Sequence, residues 1–245
     1  MNYNNIIKEL ETKGYAEIDN FISNENIRNV NKFIDLKKNE FNSDNFSLAD
    51  NELSHNVFNE IKNSKKFIDL YENILKSQNI FINSKEKRDF HTVLGVRKGK
   101  EIKYKKPIMY HFDAFLITIN IPIKVPENNV NDGKLVVWPN IRRIQKNMIT
   151  NFAIKLLFQN KLARYLINLN ILQSNLNIKK FSLNKDKIYI FYGYRSLHGV
   201  DKLGNKNERT TLLYHIYNPH KDAFLNKYIL KRNTLKRNEI KKIKS

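Results

Sequence analysis

Cysteine is absent from this 245-residue sequence, which excludes disulfide bonds and thiolate metal sites and leaves the compartment undetermined. Glycine and proline are also scarce, at seven and five residues. No Gly/Ser-rich linker or repeat is present, so a single domain over residues 1–245 is predicted.

No apolar run is long enough for a transmembrane helix, and the first residues lack the features of a signal peptide. We therefore expect a cytoplasmic protein.

Acidic residues are few relative to basic ones. The chain holds 44 Lys and Arg against 24 Asp and Glu, which gives a net charge of +20. This excess is typical of proteins that meet an anionic partner such as nucleic acid, a membrane surface or a phosphorylated substrate. It is also what a composition rich in Lys, Asn and Ile produces without any functional role. The hydrophobic content of 41% is sufficient for a packed core.

Residues 1–85 are predicted to be mainly helical. Apolar residues recur at helical spacing in three segments, which begin near residues 4, 24 and 65. Gly14 is expected to end the first helix, and Ser23 or Asn24 to cap the second. A short strand is predicted over 15–18 and a surface loop over 37–55. Nothing in this part of the sequence requires catalytic chemistry.

Short strands separated by turns dominate residues 86–220, which favours an antiparallel sandwich or barrel. Pro122 and Pro126 are expected to close the first series of strands, which ends with 115–122, and Asn131-Asp132-Gly133 to form a turn. The fold class is therefore mainly β with flanking helices. The predicted strands cover residues 89–97, 101–105, 108–112, 115–122, 134–138, 187–192 and 209–217.

Three side chains in this region could bind a metal. If 108–112 and the residues after it are extended, His111 and Asp113 project from the same face, since side chains alternate along a strand. An imidazole and a carboxylate are two thirds of the facial triad that holds non-haem Fe(II). A third candidate, His198, lies 87 positions further on, after the strand predicted at 187–192.

A candidate anion-binding pair follows His198. Arg209 and Thr211 lie on one face of the last predicted strand, together with Leu213 and His215. Arginine can donate two parallel hydrogen bonds to a carboxylate, and a neighbouring hydroxyl can add a third.

Taken together, these segments resemble the Fe(II)/2-oxoglutarate-dependent oxygenases, and most closely the phytanoyl-CoA hydroxylase-like branch. The loop after Pro139 and the residue Tyr110 depart from the pattern of that branch, but neither change removes a candidate ligand. The segments that carry the resemblance are His111-Phe112-Asp113, Asn131 to Pro139, Leu197-His198-Gly199-Val200, Arg209-Thr210-Thr211, and the opening Gly14 to Ile22.

The resemblance implies a double-stranded β-helix (jelly-roll, cupin-like) core. It implies His111, Asp113 and His198 as catalytic iron ligands, and Arg209 with Thr211 as the site for 2-oxoglutarate. Fe(II), 2-oxoglutarate and O2 would then support hydroxylation of a C–H bond in a small-molecule, lipid-linked or sugar-linked substrate, with release of succinate and CO2. Desaturation and ring closure stay open. The alternatives are an oxygenase that acts on nucleic acid, which lacks a visible stacking motif and is disfavoured, and a non-catalytic basic binding module.

A basic insert, residues 141–172, is predicted to be helical. It contains six basic residues and no Asp or Glu, interleaved with apolar residues. This pattern is typical of a helix packed on the barrel with its charges in solvent, and also of a helix at a membrane interface. Peripheral contact with an anionic membrane, or with an amphiphilic substrate, is therefore a second possibility. A basic tail over 221–245 is expected to be a solvated or frayed helix, and the oligomeric state is not encoded in any motif.

Overall fold

The computed structural model describes residues 1–80, 90–99, 108–126, 133–145, 147–169, 175–205 and 207–221. In this part of the chain six α-helices and a short 3-10 helix accompany nine strands. The helices are α1 Tyr3–Thr12, α2 Asn24–Phe41, α3 Asn56–Asn63, α4 Lys65–Ser77, α5 Met148–Gln159 and α6 Lys161–Ile167, with the 3-10 helix at Asp50–Leu53. The strands are β1 Tyr15–Asp19, β2 Phe46–Ala49, β3 Phe90–Lys98, β4 Ile117–Lys124, β5 Leu135–Trp138, β6 Lys179–Phe181, β7 Lys187–Phe191, β8 Leu197–Val200 and β9 Glu208–Ile216.

Local sequence signals explain where the N-terminal helices begin and end. The side chain of Ser23 accepts a hydrogen bond from the Asn26 amide and caps α2. Of the two predicted cap residues, Ser23 and Asn24, Ser23 is therefore the one that caps the helix. Gly14, the second residue after α1, has a φ of +83°, a backbone conformation that glycine adopts at little cost. These helices are therefore specified largely by short-range chemistry.

Two antiparallel sheets form the β part of the fold. The larger has six strands in the order β1-β7-β4-β9-β3-β2, and the smaller has three in the order β6-β5-β8. The two sheets with flanking helices confirm the predicted fold class, which is that of a jelly-roll core. Each strand of the larger sheet alternates between an apolar face and a more polar face, because successive side chains point to opposite sides.

The apolar face of the larger sheet packs against α1 to α4. Leu94, Ile119, Ile190 and Leu212, from four adjacent strands, share one buried cluster with residues of these helices. The opposite face carries polar side chains, including Thr118, which pairs with His215 of β9. The register thus places the apolar residues towards the helical layer and leaves the polar ones facing the interior between the sheets.

The smaller sheet covers that interior from the other side. Leu135 and Val137 pack with Tyr189 and Phe191 of the larger sheet. Val136, which points the other way, belongs to a separate cluster with residues of α5 and α6. The helices α5 and α6 thus occupy residues 148–167 of the basic insert and lie on the outer side of the smaller sheet.

Several local predictions were wrong. Residues 37–55 are not a surface loop, since α2 continues to Phe41 and Phe46–Ala49 forms the edge strand β2, which pairs with β3. Helix α3 and strand β6 were not predicted at all. Strand β2 has only four residues and therefore little periodic signal in the sequence. It forms because it pairs with β3 at the edge of the sheet.

Two further corrections concern the strands around the candidate site. Residues 108–112 do not form a strand: only His111 makes an isolated bridge, and its partner is His198. Pro122 does not end β4 but lies inside it, beside a bulge. Its missing N–H is tolerated because β7 pairs with β4 only at residues 118–120, which leaves one edge of β4 open at Pro122.

Some predictions fall outside the described residues, namely the strand at 101–105, the first two residues of the turn at 131–133 and all but the first residue of the basic tail. Among the helices that are described, none combines the length and the apolar character needed to cross a membrane.

Candidate metal centre

His111, Asp113 and His198 converge at one end of the interior. The backbone amides of His111 and His198 each donate to the carbonyl oxygen of the other, at 2.8 and 3.0 Å. This pair of bonds brings the two ring centroids to 4.3 Å. Nε2 of His111 lies 3.6 Å from Oδ1 of Asp113, and Nε2 of His198 lies 3.4 Å from Oδ2. One donor atom from each residue falls within 4.8 Å of the others.

The second nitrogen of each imidazole is committed to the backbone. Nδ1 of His111 lies 3.2 Å from the Met109 carbonyl oxygen, and Nδ1 of His198 lies 3.0 Å from that of Ser196. A carbonyl oxygen can only accept, so both Nδ1 atoms must carry the proton. In the neutral rings Nε2 then presents its lone pair towards Asp113, which is the tautomer that a metal at this position requires.

The charges of the centre follow from its burial and close packing. Burial alone would raise the pKa of Asp113, but the neighbouring imidazoles outweigh it and hold that pKa well below its usual range. His111 keeps 47% of its side chain accessible. Even so, the burial of the site and the adjacent His198 lower the pKa of His111. Burial would lower the pKa of His198, but the adjacent Asp113 carboxylate outweighs it and raises that pKa. The centre therefore offers an ionised carboxylate beside one imidazole, that of His111, which is neutral at neutral pH.

Asp113 is held by neighbours that the sequence did not reveal. Thr118 Oγ1 donates to Oδ2 of Asp113 at 2.5 Å and lies 3.0 Å from Nδ1 of His215. Because the single hydroxyl proton of Thr118 goes to Asp113, Nδ1 of His215 acts as the donor in the second bond. Thr118 and His215 are paired residues of β4 and β9, and their alternation along the strands was the only signal that could have found them.

The backbone around Asp113 is equally constrained. Its amide donates to the carbonyl oxygen of Gly193 at 3.0 Å, and a Cβ on Gly193 would collide with the Asp113 carboxylate and the Thr118 hydroxyl. Nζ of Lys155, from α5, donates to the Asp113 carbonyl oxygen at 3.1 Å. The carboxylate is thus fixed from the larger sheet, from the loop after β7 and from the insert.

Arg209 and Thr211 lie on the same face of β9 as His215, towards the other end of that strand. Nη1 of Arg209 donates to the Gly133 carbonyl oxygen at 3.2 Å, whereas its buried Nε has no hydrogen-bond partner. Burial lowers the pKa of Arg209 to about 10, and Arg97, its partner in the β3–β9 register, adds to the effect. Within the described residues no carboxylate is paired with this guanidinium, and neither Arg209 nor Thr211 is hydrogen-bonded to the triad.

Comparison with known proteins gives a match at the level of structure only. No protein-family model and no curated protein sequence matches this chain. Among solved structures, the chain is similar to the non-haem alpha-ketoglutarate-dependent carbocyclase SnoK from nogalamycin biosynthesis, with a TM-score of 0.59 and 12% identity over 91% of this chain and 90% of that one.

Two further structures show the same likeness. HygX from Streptomyces hygroscopicus, with nickel and 2-oxoglutarate bound, gives a TM-score of 0.57 at 7% identity over 86% of this chain and 84% of that one. A Pseudomonas putida prolyl-4-hydroxylase gives 0.55 at 9% identity over 88% and 98%. At such identities the likeness shows a shared fold. The assignment to the phytanoyl-CoA hydroxylase-like branch stays a prediction.

Proposed function

We propose that this protein is an Fe(II)- and 2-oxoglutarate-dependent oxygenase. The observation that carries the proposal is the geometry of the triad, in which two Nε2 atoms and one carboxylate converge inside a jelly-roll core. Two imidazoles and one carboxylate are the donor set of facial Fe(II) sites, which leave positions for other ligands. His111, Asp113 and His198 would hold the iron.

The proposed site for the co-substrate is Arg209 with Thr211. A buried guanidinium that faces a second cation, Arg97, and has an unpartnered Nε is well suited to an incoming carboxylate. The terminal carboxylate of 2-oxoglutarate would supply the missing acceptor and offset the repulsion between the two arginines. The resemblance of Arg209-Thr210-Thr211 to the family pattern points to the same ligand.

Bound iron would supply the activation of O2, coupled to the conversion of 2-oxoglutarate into succinate and CO2 and to oxidation of a substrate C–H bond. The chain's own contribution is orientation. The carbonyl oxygens of Met109 and Ser196 set the tautomers of the two histidines, and Thr118 holds one oxygen of Asp113. The accessible side of His111 marks the side from which a substrate reaches the centre.

Hydroxylation is the outcome that we propose. An aspartate at position 113 disfavours halogenation, for which relatives lose this carboxylate so that halide can bind iron. The similar structures include a carbocyclase and a prolyl hydroxylase, so in those proteins this fold accommodates ring closure as well as hydroxylation. Product analysis, once a substrate is found, distinguishes hydroxylation from desaturation and ring closure. The proposed substrate is a small or amphiphilic molecule.

The test is anaerobic addition of Fe(II) and 2-oxoglutarate to the purified protein. We expect the weak visible absorption band of an iron–2-oxoglutarate chelate, and slow succinate release once O2 is admitted. His198→Ala should abolish the band, whereas Arg143→Lys, at an exposed arginine, should leave it unchanged. Absence of the band in the wild-type protein, under conditions where iron is shown to bind, would refute the proposal and favour a non-catalytic module.

A further inference from the structure

Helices α5 and α6 expose apolar side chains to solvent along one face each. The exposed apolar residues of α5 follow helical spacing, and so do those of α6. Each helix therefore carries a stripe of exposed apolar side chains. We name these residues together the α5–α6 apolar patch. Its members, with their exposed fractions, are Ile149 73%, Phe152 54%, Leu156 58%, Leu157 65%, Leu162 68%, Tyr165 61% and Leu166 41%, with Leu169 38%, two residues after α6.

The patch is exposed although the helices are firmly packed. Ile154, Phe158 and Ile167, on their inner sides, lie in the cluster that includes Val136 of the smaller sheet. Nε of Arg164 also donates to the Tyr110 carbonyl oxygen at 3.2 Å. The apolar stripes are therefore the outer faces of docked helices, and a group of eight exposed large apolar side chains indicates an interaction site.

The helices that carry the patch also contact the segment of the metal centre. Met109, two residues before His111, is 62% exposed, and its Sδ accepts from Nη1 of Arg164 at 3.6 Å. Lys155 of α5 contacts the backbone of Asp113. The same two helices thus contact the 109–113 segment on one side and present the patch on the other.

Charge indicates which partner fits. Residues 141–172 contain no Asp or Glu, and Arg143 and Lys161 are exposed there. A second copy of a chain with a net charge of +20 would bring like charges together around the patch. An anionic lipid surface instead offers an apolar interior to the leucine, isoleucine and phenylalanine side chains and phosphate groups to the basic ones.

We propose that the α5–α6 apolar patch binds the surface of an anionic lipid bilayer, with α5 and α6 lying in its interface. Basic and apolar residues act together in this mode of binding: the charges attract the protein, and the apolar side chains insert at the boundary of the acyl chains. The metal centre then lies on the inner side of the two helices that meet the lipid surface. The inference does not depend on the chemistry of the centre.

The test is co-sedimentation of the full-length protein with phosphatidylcholine vesicles, with and without phosphatidylglycerol, at low and high salt. The informative variant is Leu157→Gln/Leu162→Gln, at two highly exposed positions. Leu36→Gln is the matched control, because Leu36 is 66% exposed on α2, outside the patch. Equilibrium sedimentation without lipid measures self-association of the same proteins.

We expect binding to the anionic vesicles that weakens with salt and falls by about tenfold or more in the double variant, with no change in Leu36→Gln. His198→Ala should bind as the wild type does, which separates this inference from the proposed function. The inference is overturned if the protein does not bind anionic vesicles, or if binding survives in the double variant. Self-association abolished by the double variant would instead assign the patch to a second copy of this chain.

Discussion

Single atoms decide the chemistry of the candidate centre. Each histidine of the triad uses Nδ1 to donate to a carbonyl oxygen two residues before it in the chain, so its tautomer is set locally. The Asp113 carboxylate is instead set by side chains of two paired strands, Thr118 of β4 and His215 of β9. Substitutions at these residues therefore test different parts of the same site.

We predict that His111→Ala, Asp113→Ala and His198→Ala each abolish iron-dependent turnover, since each removes one of three proposed ligands. Iron content after anaerobic loading and succinate release are the measurements. His55→Ala serves as control: this histidine caps α3 and its loss should leave iron content unchanged. Turnover that persists in a variant lacking all three residues would place the metal elsewhere.

Substitution of Arg209 is predicted to weaken the binding of 2-oxoglutarate and to leave the binding of iron nearly intact. A charge-assisted contact to a carboxylate contributes about 1.5–3 kcal/mol, so Arg209→Ala should weaken 2-oxoglutarate binding by roughly tenfold to a hundredfold or more. Arg209→Lys should recover only part of the affinity, because lysine lacks the planar fork. Titration of the iron-loaded protein with 2-oxoglutarate measures this, and unchanged affinity in Arg209→Ala would assign the carboxylate site to another residue.

At the scale of the elements, close contacts between loops and side chains hold the site in position. The loop after β7 passes directly over Asp113, and the residue at the approach is Gly193. The guanidinium of Arg142 is sandwiched between Phe112 and Tyr194, 4.0 and 4.1 Å from their ring centroids. Phe112 lies between two proposed ligands in the sequence, so this stack links the insert to the centre.

Gly193→Ala should impair metal binding while the fold is retained. The new Cβ would collide with the Asp113 carboxylate and the Thr118 hydroxyl, and the carboxylate must turn away from the histidines. Gly95→Ala is the matched control, since the nearest atom to its Cβ would be Thr211 Oγ1 at 3.9 Å, an ordinary contact. Iron affinity and the circular dichroism spectrum are compared. Equal iron affinity in the two variants would contradict the assigned position of Asp113.

Arg142 offers a second comparison at this scale. Its Nε donates to the Tyr194 carbonyl oxygen at 2.6 Å and its Nη1 to Oδ1 of Asn151 at 2.8 Å. Lysine cannot keep both bonds and both ring contacts, so Arg142→Lys should lower the free energy of unfolding by about 1–3 kcal/mol. Arg143→Lys, at the exposed neighbour, should have almost no effect in the same urea titration. Equal stability of the two variants would mean that the stack does not stabilise the fold.

For the whole molecule, binding of Fe(II) and 2-oxoglutarate should raise the thermal stability of the fold. A ligand that binds only the folded state at a hundred times its Kd adds about 2.7 kcal/mol to the free energy of unfolding. In a chain of this size that corresponds to a rise in Tm of roughly 5–10 °C. Anaerobic thermal denaturation with Fe(II) and 2-oxoglutarate measures the shift, and a chelator should reverse it. His198→Ala should show no shift, and an equal shift in that variant would contradict the proposed site.

The sequence by itself determined the residue types of the candidate site and much of the local structure. Helix caps such as Ser23, the helical stripes of the N-terminal part and the alternation along β9 depend on short-range geometry, which is readable from spacing. The mainly β fold with flanking helices was visible for the same reason. The joint role of His111, Asp113, His198 and Arg209 was visible only through the resemblance to a family pattern, since spacing does not relate residues so far apart.

The tertiary structure alone decided how these residues meet. His111 and Asp113 share a site because a bridge to His198, 87 positions away, shapes the loop that carries them, and not because they lie on a strand. Gly193 and Lys155 reach Asp113 from distant segments. The contact of Thr118 with His215 depends on the pairing of β4 with β9, which the alternation along each strand does not specify. The outward direction of the α5–α6 apolar patch was decided in the same way, because the smaller sheet can cover only one side of each helix.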